Sequence, residues 1–303
     1  MIHFSKALFL FLFTFSIACS VNNDSANKLV IDTEMLVNDF RTLASDEMEG
    51  RKTGTRGNLK AREYLVKRFK EEGAQAFNGS FIHEFTFTDS KTDEVNTGKN
   101  VIGVVPGKTD EVIVISAHYD HVGVKEGLIY NGADDNASGT AALIAFIDYF
   151  SQNQPEHTLV FAAFDAEEMG LQGAKAFVGN SAFLDKVVMN INMDMIAQNT
   201  KNELYASGTY HNPELKTILE NTDTGDVKLL FGHDRPEQGH NDWTHSSDHG
   251  PFYAKGKKFI YFGVEDHQHY HKSTDEIKTI PIKFYEKSTR LILRAVVAFD
   301  DQL

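Results

Sequence analysis

The alternation of hydrophobic and polar positions divides the chain into helical and extended stretches. Apolar residues recur at helical spacing in residues 35–43 and 58–72, which predicts two amphipathic helices. Residues 79–98 alternate between apolar and polar side chains, as one or two half-exposed antiparallel strands would. The first part of the folded chain is therefore predicted to combine two helices with a short antiparallel element.

From residue 100 onwards, the pattern changes to strands that alternate with helices. The apolar runs 100–105 and 111–117 have the spacing of a hairpin, and the second run is apolar on both faces, as a central strand would be. Further strands are predicted at 159–164, 186–194, 204–208 and 257–264, and helices at 138–151, 172–179, 213–221, 247–255 and 285–299. This order predicts an α/β fold with a largely parallel or mixed sheet that helices cover on both faces.

One stretch, residues 160–174, joins an apolar run to two adjacent glutamates. Residues 159–164 predict a buried strand, and Glu167 and Glu168 follow it in a glycine-containing loop before a helical pattern. One glutamate of such a pair can bind a metal while the other stays free to move a proton. The same two residues could instead begin a helix, because the helix dipole favours acidic groups in the first turn. The pair alone leaves both interpretations open.

Other apolar runs also end in acidic residues and histidines. Ligands of open α/β sheets bind outside the carboxyl ends of the strands, so groups that follow several strands are expected at one edge. The groups placed there are His118, Asp120, His121, Asp134, Asp135, Asp194, Asp266, His267, His269 and His271. A mixed set of imidazoles and carboxylates suits zinc better than magnesium or calcium, which prefer oxygen ligands. Together, these runs predict a zinc site at one edge of the sheet.

Composition limits the possible partners. The chain has 303 residues, of which 41% are hydrophobic, enough for one large domain or two small ones. Its formal net charge of −13 argues against nucleic-acid binding, which requires a basic face. No internal period typical of repeat proteins is visible. These features are typical of a soluble acidic domain with carboxylate-lined sites.

The N-terminus has the pattern of an export signal. Lys6 precedes a short apolar stretch, and the only cysteine, Cys19, directly follows Ala18. This arrangement resembles the lipobox of bacterial lipoproteins, which implies a cleaved signal peptide at 1–18, a lipidated tether at 19–30 and a folded domain at 31–303. The predicted location is the cell envelope, with membrane attachment through Cys19. An ordinary secretory signal is the alternative, and it would give a soluble exported protein.

Six short motifs, taken in order, resemble those of one enzyme family. Their sequences and order resemble those of the di-zinc aminopeptidases of the bacterial leucyl aminopeptidase type, peptidase family M28. The resemblance covers roughly residues 35–295. The motifs are HYDH at 118–121, GADDNASG at 132–139, EEMGLQG at 167–173, NMDMI at 192–196, SDHGPF at 247–252 and YHKSTD at 270–275. The resemblance implies a three-layer α/β/α sandwich around a central mixed, mostly parallel sheet. It also implies the removal of N-terminal residues from peptides.

The resemblance further assigns roles to individual residues. Two zinc ions would be held by His118, Asp135, Glu168, Asp194 and His271, with Asp135 bridging them. It implies that Glu167 is the general base, that Tyr270 donates a hydrogen bond to the oxyanion, and that the Asp135–Asn136 peptide is cis. Asp120 stands two residues after His118, where its carboxylate is expected to hold the second imidazole nitrogen.

Neighbouring residues are given structural interpretations, and other functions remain open. His121 is expected to line the entrance and Asp134 to be a loop carboxylate, while His249 is expected near the substrate. His267 and His269 are expected to lie off the metal. The alternatives to an aminopeptidase are a carboxypeptidase or glutaminyl cyclase on the same scaffold, and a catalytically silent binding module. The complete GADDNASG and EEMGLQG motifs argue against a glutaminyl cyclase. The complete set of metal ligands argues against a catalytically silent binding module.

Overall fold

A computed structural model of the chain describes Met1 and residues 29–90, 92–179 and 181–303. The predicted signal peptide, Cys19 and nearly all of the predicted tether lie outside the described residues. Among those residues, no helix is both long and apolar enough to cross a bilayer.

The described chain is built around a nine-stranded mixed sheet. The strand order is β1-β3-β7-β4-β8-β11-β9-β10, with β2 paired to β3. Two further strands, β5 and β6, form a separate hairpin. The strands are β1 (Gln75–Ala76), β2 (Ile82–Thr88), β3 (Val95–Val105), β4 (Val112–His118), β5 (Gly123–Lys125), β6 (Leu128–Tyr130), β7 (Thr158–Phe164), β8 (Val187–Met193), β9 (Glu203–Ser207), β10 (Lys228–Phe231) and β11 (Lys258–Gly263).

Eight α-helices accompany the sheet in the described residues. They are α1 (Thr33–Leu43), α2 (Arg56–Glu71), α3 (Gly139–Gln152), α4 (Gln172–Val178), α5 (Ser181–Leu184), α6 (Pro213–Glu220), α7 (His249–Ala254) and α8 (Ile282–Gln302). Short 3-10 turns lie at Asp46–Arg51, Pro236–Asn241 and Ile277–Thr279. Side chains cap the first two helices: Asp32 accepts from the Met35 amide and Thr55 from the Asn58 amide, so each helix begins where a capping residue stands.

Helices pack on both faces of the sheet. The alternating side chains of β4 show this division, since Ile113 and Ile115 join the core beneath α1, α2, α3 and α8, whereas Val112 and Val114 join the core beneath α4 and α7. Every residue of β4 is buried, as expected for a central strand covered on both sides. The predicted α/β sandwich around a mixed sheet is confirmed. Parallel pairing runs through β7, β4, β8 and β11, which are the strands that support the site.

The predicted hairpin of residues 100–105 and 111–117 is wrong. β7 lies between β3 and β4, antiparallel to the first and parallel to the second. Two strands with one strand between them lie only about 10 Å apart. The connection of six residues between β3 and β4 can span about 20 Å. The spacing therefore permitted both arrangements, and the sheet adopts the one that gives β4 a parallel neighbour on each side. β10 and the β5–β6 hairpin were not among the predicted strands.

Candidate metal centre and active site

Parallel strands deliver polar side chains to one edge of the sheet. His118 of β4 lies in register with Phe164 of β7, and Met193 of β8 lies in register with Phe262 of β11, so these strands end at one level. The polar groups found there are His118 at the end of β4, Glu167 and Glu168 after β7, Asp194 after β8, Tyr270 and His271 after β11, and Asp135 in the segment before α3. The structure thus brings all seven predicted metal-binding and catalytic residues to a single edge.

Asp135 lies at the centre of this cluster, because its two oxygens face different histidines. Oδ1 lies 3.2 Å from His118 Nε2, and Oδ2 lies 3.0 Å from His271 Nε2. Asp194 Oδ1 lies 3.3 Å from the same His118 nitrogen, and Glu168 Oε1 lies 3.4 Å from the same His271 nitrogen. The Asp135 carboxylate therefore stands between two groups of potential ligands.

Two compact sets of donor atoms could each hold a metal ion, and they share Asp135. His118, Asp135 and Asp194 place their ligand atoms within 4.8 Å of one another, and so do His121, Asp135 and Glu168. Imidazole and carboxylate donors in such sets fit zinc. Glu168 Oε1 and both ring nitrogens of His121 are buried without a hydrogen-bond partner among the described residues. Buried polar atoms are normally satisfied, so these atoms fit a site in which a cation is their partner.

The orientation of His118 suits metal binding through Nε2. Its Nδ1 lies 3.1 Å from the main-chain carbonyl oxygen of Asp120, so an N–H there donates to that carbonyl and the Nε2 lone pair faces Asp135 and Asp194. The prediction for Asp120 therefore needs a correction. The group within hydrogen-bonding distance of the imidazole is its carbonyl, whereas its carboxylate oxygen lies 3.7 Å away and binds the neighbouring loop instead.

Charge in the cluster favours bound cations. Burial opposes protonation of His118, but the nearby carboxylates raise the pKa of its imidazole well above the usual range. The carboxylates of Asp135 and then Glu168 raise the pKa of His271 to about 10. Burial opposes ionisation of the two carboxyls, yet the facing histidines lower the pKa of Asp135 well below its usual range and that of Glu168 to about 2. The carboxylates that hold these protons would also attract divalent cations, which would bind the imidazoles in place of the protons.

Glu167 differs from Glu168 in its surroundings. Burial raises the pKa of the Glu167 carboxyl well above its usual range, His118 opposes this, and the carboxylates of Asp194, Asp248 and Glu168 add to it. Glu167 lines the open pocket and belongs to neither of the two donor sets. A carboxyl at the pocket wall that is not needed as a ligand is placed to accept and return a proton.

Two buried carboxylates fix the loops that carry the candidate ligands. Asp120 accepts from the main-chain amides of Glu167 and Glu168 at 3.0 and 3.3 Å. Asp275 accepts from the amides of Asp134 and Asp135 at 3.0 and 3.1 Å. Each of these carboxylates therefore determines the direction in which a neighbouring ligand points.

Arg51 ties the same loops to the helical layer. Its fully buried guanidinium donates to the main-chain carbonyls of Leu43, Tyr119, Asn131 and Gly132 at 2.6 to 2.9 Å. Tyr119 lies within the HYDH motif, and Gly132 begins the GADDNASG motif. One side chain thus holds both metal-site loops in place.

The backbone around the cluster adopts conformations that most residues avoid. Ala166, Met195 and His271 have φ values of 58°, 59° and 53°, in the left-handed region. Such conformations cost about 1–3 kcal/mol each and persist where surrounding structure enforces them, often at functional sites. Ala166 directly precedes Glu167, and Met195 directly follows Asp194. The peptide between residues 135 and 136 is cis, as the family resemblance predicted.

An open pocket of about 430 Å³ lies over the cluster. Its outer wall is formed by Gly170, Leu171, Lys175, Met195, His245 and Ser246. Tyr270 also lines the pocket, and its ring stacks on His271 with the centroids 4.0 Å apart. Burial, followed by the charges of Asp135 and Asp194, raises the pKa of the Tyr270 phenol. The phenol therefore remains protonated at neutral pH and can donate a hydrogen bond.

Two histidine predictions are wrong. His121 does not line the entrance: its side chain is fully buried, and Nδ1 lies 2.7 Å from Glu168 Oε1. His249 is also buried, with Nε2 2.7 Å from the Trp243 carbonyl oxygen, and its ring stacks on Phe259. In contrast, His245 lines the pocket.

Asp134 is a loop carboxylate, as predicted. Its Oδ1 accepts from the main-chain amides of Ala197 and Gln198, and its Oδ2 lies 3.0 Å from His267 Nε2. His269 contacts Thr274 Oγ1 at 3.0 Å. Neither His267 nor His269 is part of the two donor sets.

The roles of two supporting residues were not predictable from local sequence. Asp275 closes the YHKSTD motif and so stood within a recognised pattern, but nothing local indicated that it binds the backbone of another loop. Arg51 lies in a charged, glycine-rich stretch that predicts only a loop. Its burial could not be predicted locally, because all four of its acceptors are carbonyls from other segments.

Comparisons with known proteins agree with the fold and identify a family. The family model described as Peptidase family M28 matches residues 100–296. Aminopeptidase YwaD of Bacillus subtilis (strain 168) is 28% identical over 213 residues, which cover 66% of this chain and 44% of that relative. This chain therefore spans less than half the length of that relative.

Solved structures show the same architecture. BSAP, a zinc aminopeptidase from Bacillus subtilis, aligns with a TM-score of 0.72 at 16% identity, covering 89% of this chain and 95% of the other. A glutaminyl cyclase from Fimbriiglobus ruber aligns with a TM-score of 0.72 at 17% identity, covering 88% and 95%. At such identities these alignments establish the fold, while the reaction has to be argued from the site.

Proposed function

The chain belongs to peptidase family M28, and from this membership and its site we propose that it is a zinc aminopeptidase that removes N-terminal residues from peptides. The observation that carries the proposal is the placement of Asp135, whose oxygens lie 3.2 and 3.0 Å from His118 and His271. A carboxylate with one oxygen toward each of two donor sets suits a bridge between two ions. Peptide substrates are proposed because the family is one of peptidases.

Five residues would hold two Zn²⁺ ions in this proposal. One ion would be bound by His118 and Asp194, the other by Glu168 and His271, and both by Asp135. The two ions would lower the pKa of a water molecule and polarise the scissile carbonyl.

The remaining steps are assigned to two side chains in the pocket. Glu167 would accept the proton of the water and return it to the leaving amine, because it lines the pocket and belongs to neither donor set. Tyr270 would donate a hydrogen bond from its phenol to the oxyanion. The Asp120 carboxylate would keep Glu167 in position through its main-chain amide.

Substituting the two glutamates separately tests these roles. Glu167→Gln should keep metal content near that of the wild type and lower kcat at least about a hundredfold, because it removes the proton acceptor but preserves shape. Glu168→Gln should lower the zinc content instead. Measurements of kcat on an aminoacyl chromogenic substrate and of zinc by mass spectrometry distinguish the two effects. Exchanged phenotypes would show that the roles are reversed.

The reaction itself is tested by a substrate panel with and without a chelator. Free aminoacyl substrates should be hydrolysed, N-acetylated analogues should not, and phenanthroline should abolish the activity. Hydrolysis that persists in metal-free protein would contradict the proposal. Cyclisation of an N-terminal glutamine peptide without hydrolysis of aminoacyl substrates would identify a glutaminyl cyclase, and cleavage from the other end would identify a carboxypeptidase.

We also propose that the enzyme acts in the cell envelope, attached to a membrane through a lipidated Cys19. Support comes from the sequence alone: a charged start, a short apolar stretch, and a lone cysteine after Ala18. The several acyl chains of a bacterial lipoprotein would make the attachment stable, where a single chain would bind only marginally.

A further inference from the structure

His121 is a buried imidazole for which the proposed mechanism has no use. Its side chain is fully buried, and neither ring nitrogen has a hydrogen-bond partner among the described residues. Leaving a buried polar group unpaired costs about 1–3 kcal/mol. A buried imidazole with both nitrogens unpaired, beside the proposed metal site, therefore requires a physical explanation.

The atoms nearest to His121 are ligand atoms of the second set. Nδ1 lies 2.7 Å from Glu168 Oε1 and 3.7 Å from Asp135 Oδ2. The 2.7 Å distance is short enough for a hydrogen bond, but the angle between the two groups is unsuitable. Glu168 Oε1, like His121 Nδ1, is therefore without a hydrogen-bond partner among the described residues. His121, Asp135 and Glu168 each place a ligand atom within 4.8 Å of the other two, as the ligands of one ion do.

The surrounding backbone holds the ring in this orientation. Gly132 has a φ of +52°, and a Cβ there would lie 2.5 Å from His121 Cδ2, so only glycine leaves room for the imidazole. Arg51 donates to the carbonyls of Tyr119 and Gly132, on the two segments that flank the ring. His121 is thus fixed by the loops that carry the proposed metal ligands.

The two histidines approach the carboxylates from different sides. The His271 side chain is 43% exposed, the His121 side chain is 0% exposed, and their ring centroids lie 5.8 Å apart. The compact donor set around Glu168 contains His121 and not His271.

We propose that His121 Nδ1 is a ligand of the second zinc ion, together with Asp135 and Glu168, and that His271 completes the site from the solvent side. This inference rests on the proposed function. With His121, the second ion has four protein ligands, the number found in structural zinc sites. The second ion should then be retained more firmly than three ligands would allow.

The test compares His121→Asn and His121→Gln with His269→Gln in the full-length protein. Asparagine places an amide nitrogen near the position of Nδ1, so it offers Glu168 a hydrogen-bond donor but does not replace an imidazole ligand. His269→Gln removes a histidine that lies outside both donor sets. Zinc stoichiometry, zinc affinity by chelator competition, and the visible spectrum of the Co²⁺-substituted protein are measured for each.

Both His121 variants should bind the second ion at least about a hundredfold more weakly, since even indirect partners of a metal ligand change affinity 10- to 100-fold. Their Co²⁺ spectra should change, while His269→Gln matches the wild type. X-ray absorption of the wild type should show three imidazoles shared by two zinc ions.

Three results would overturn the inference. Full recovery of affinity and spectrum in His121→Asn would mean that His121 only orients Glu168. Two imidazoles for two ions in the wild type would exclude it as a ligand while leaving the proposed function intact. A wild-type protein that holds fewer than two ions would refute both this inference and the two-zinc proposal.

Discussion

Replacing Arg51 by methionine should destabilise the protein strongly, because this change removes a buried charge that four main-chain carbonyls surround. Methionine fills the space of the aliphatic stem and has no polar end, so it leaves all four acceptors without the guanidinium. The side chain is 0% exposed, and the acceptors belong to Leu43, Tyr119, Asn131 and Gly132.

The expected loss of folding free energy is the difference between two opposing contributions. A hydrogen bond to a charged group contributes about 1.5–3 kcal/mol, so four contribute about 6–12 kcal/mol. Desolvation of the guanidinium cancels several kcal/mol of this. Burial lowers the pKa of Arg51 to about 10 in spite of Asp135 and Asp275, which shows how large the desolvation is. We therefore expect a net loss of about 3–5 kcal/mol, as for other broken buried charge clusters.

Urea unfolding of metal-free protein measures this loss without a contribution from zinc. With a slope of about 3 kcal/mol/M, the midpoint should fall by about 1–1.7 M. Arg51→Lys should lie between the wild type and Arg51→Met, because an ammonium keeps the charge but cannot match the planar fork of donors. Zinc affinity should fall with stability, since Tyr119 and Gly132 flank His121.

Arg56→Met is the matched control. Its side chain is 77% exposed and pairs with Glu49 only at 3.8 Å, so its loss should stay within about 0.5 kcal/mol. An Arg51→Met variant whose stability lies within about 1 kcal/mol of the wild type and that binds zinc normally would contradict this prediction. In that case the four carbonyls would find other donors, and the loops would not depend on the guanidinium.

Two further predictions concern pH and location. Burial lowers the pKa of His249 to about 3 from an unfolded value of 6.5, so only the unfolded chain takes up this proton as the pH falls below 6.5. Stability should therefore fall by about 2 kcal/mol more between pH 7 and pH 5 in the wild type than in His249→Gln, and equal losses in urea unfolding would contradict this. Cys19→Ser should abolish labelling by a clickable fatty acid and release the protein from the membrane fraction, whereas unchanged labelling and retention would exclude lipidation.

Local pattern predicted most elements of this fold, with boundaries that differ by a few residues. β4, β7, β8 and β11 are mostly apolar runs, and α2 has apolar positions at helical spacing, so each could be predicted from its own segment. The gathering of His118, Glu168 and Asp194 was also predictable, because parallel strands place their carboxyl ends at one edge.

Strand order and buried polar contacts were decided by the tertiary structure. The insertion of β7 between β3 and β4 depends on pairing between distant segments, and the short connection permitted a hairpin equally well. Arg51 bonds to carbonyls up to 81 positions away, and Asp275 to amides 140 and 141 positions away. His121 faces Glu168 because Gly132 leaves room for its ring. Hydrophobic periodicity indicates which face of an element is buried, because it depends on neighbouring residues of the same segment. The partner of a buried polar atom lies on a distant segment, so it is determined only when the loops pack together.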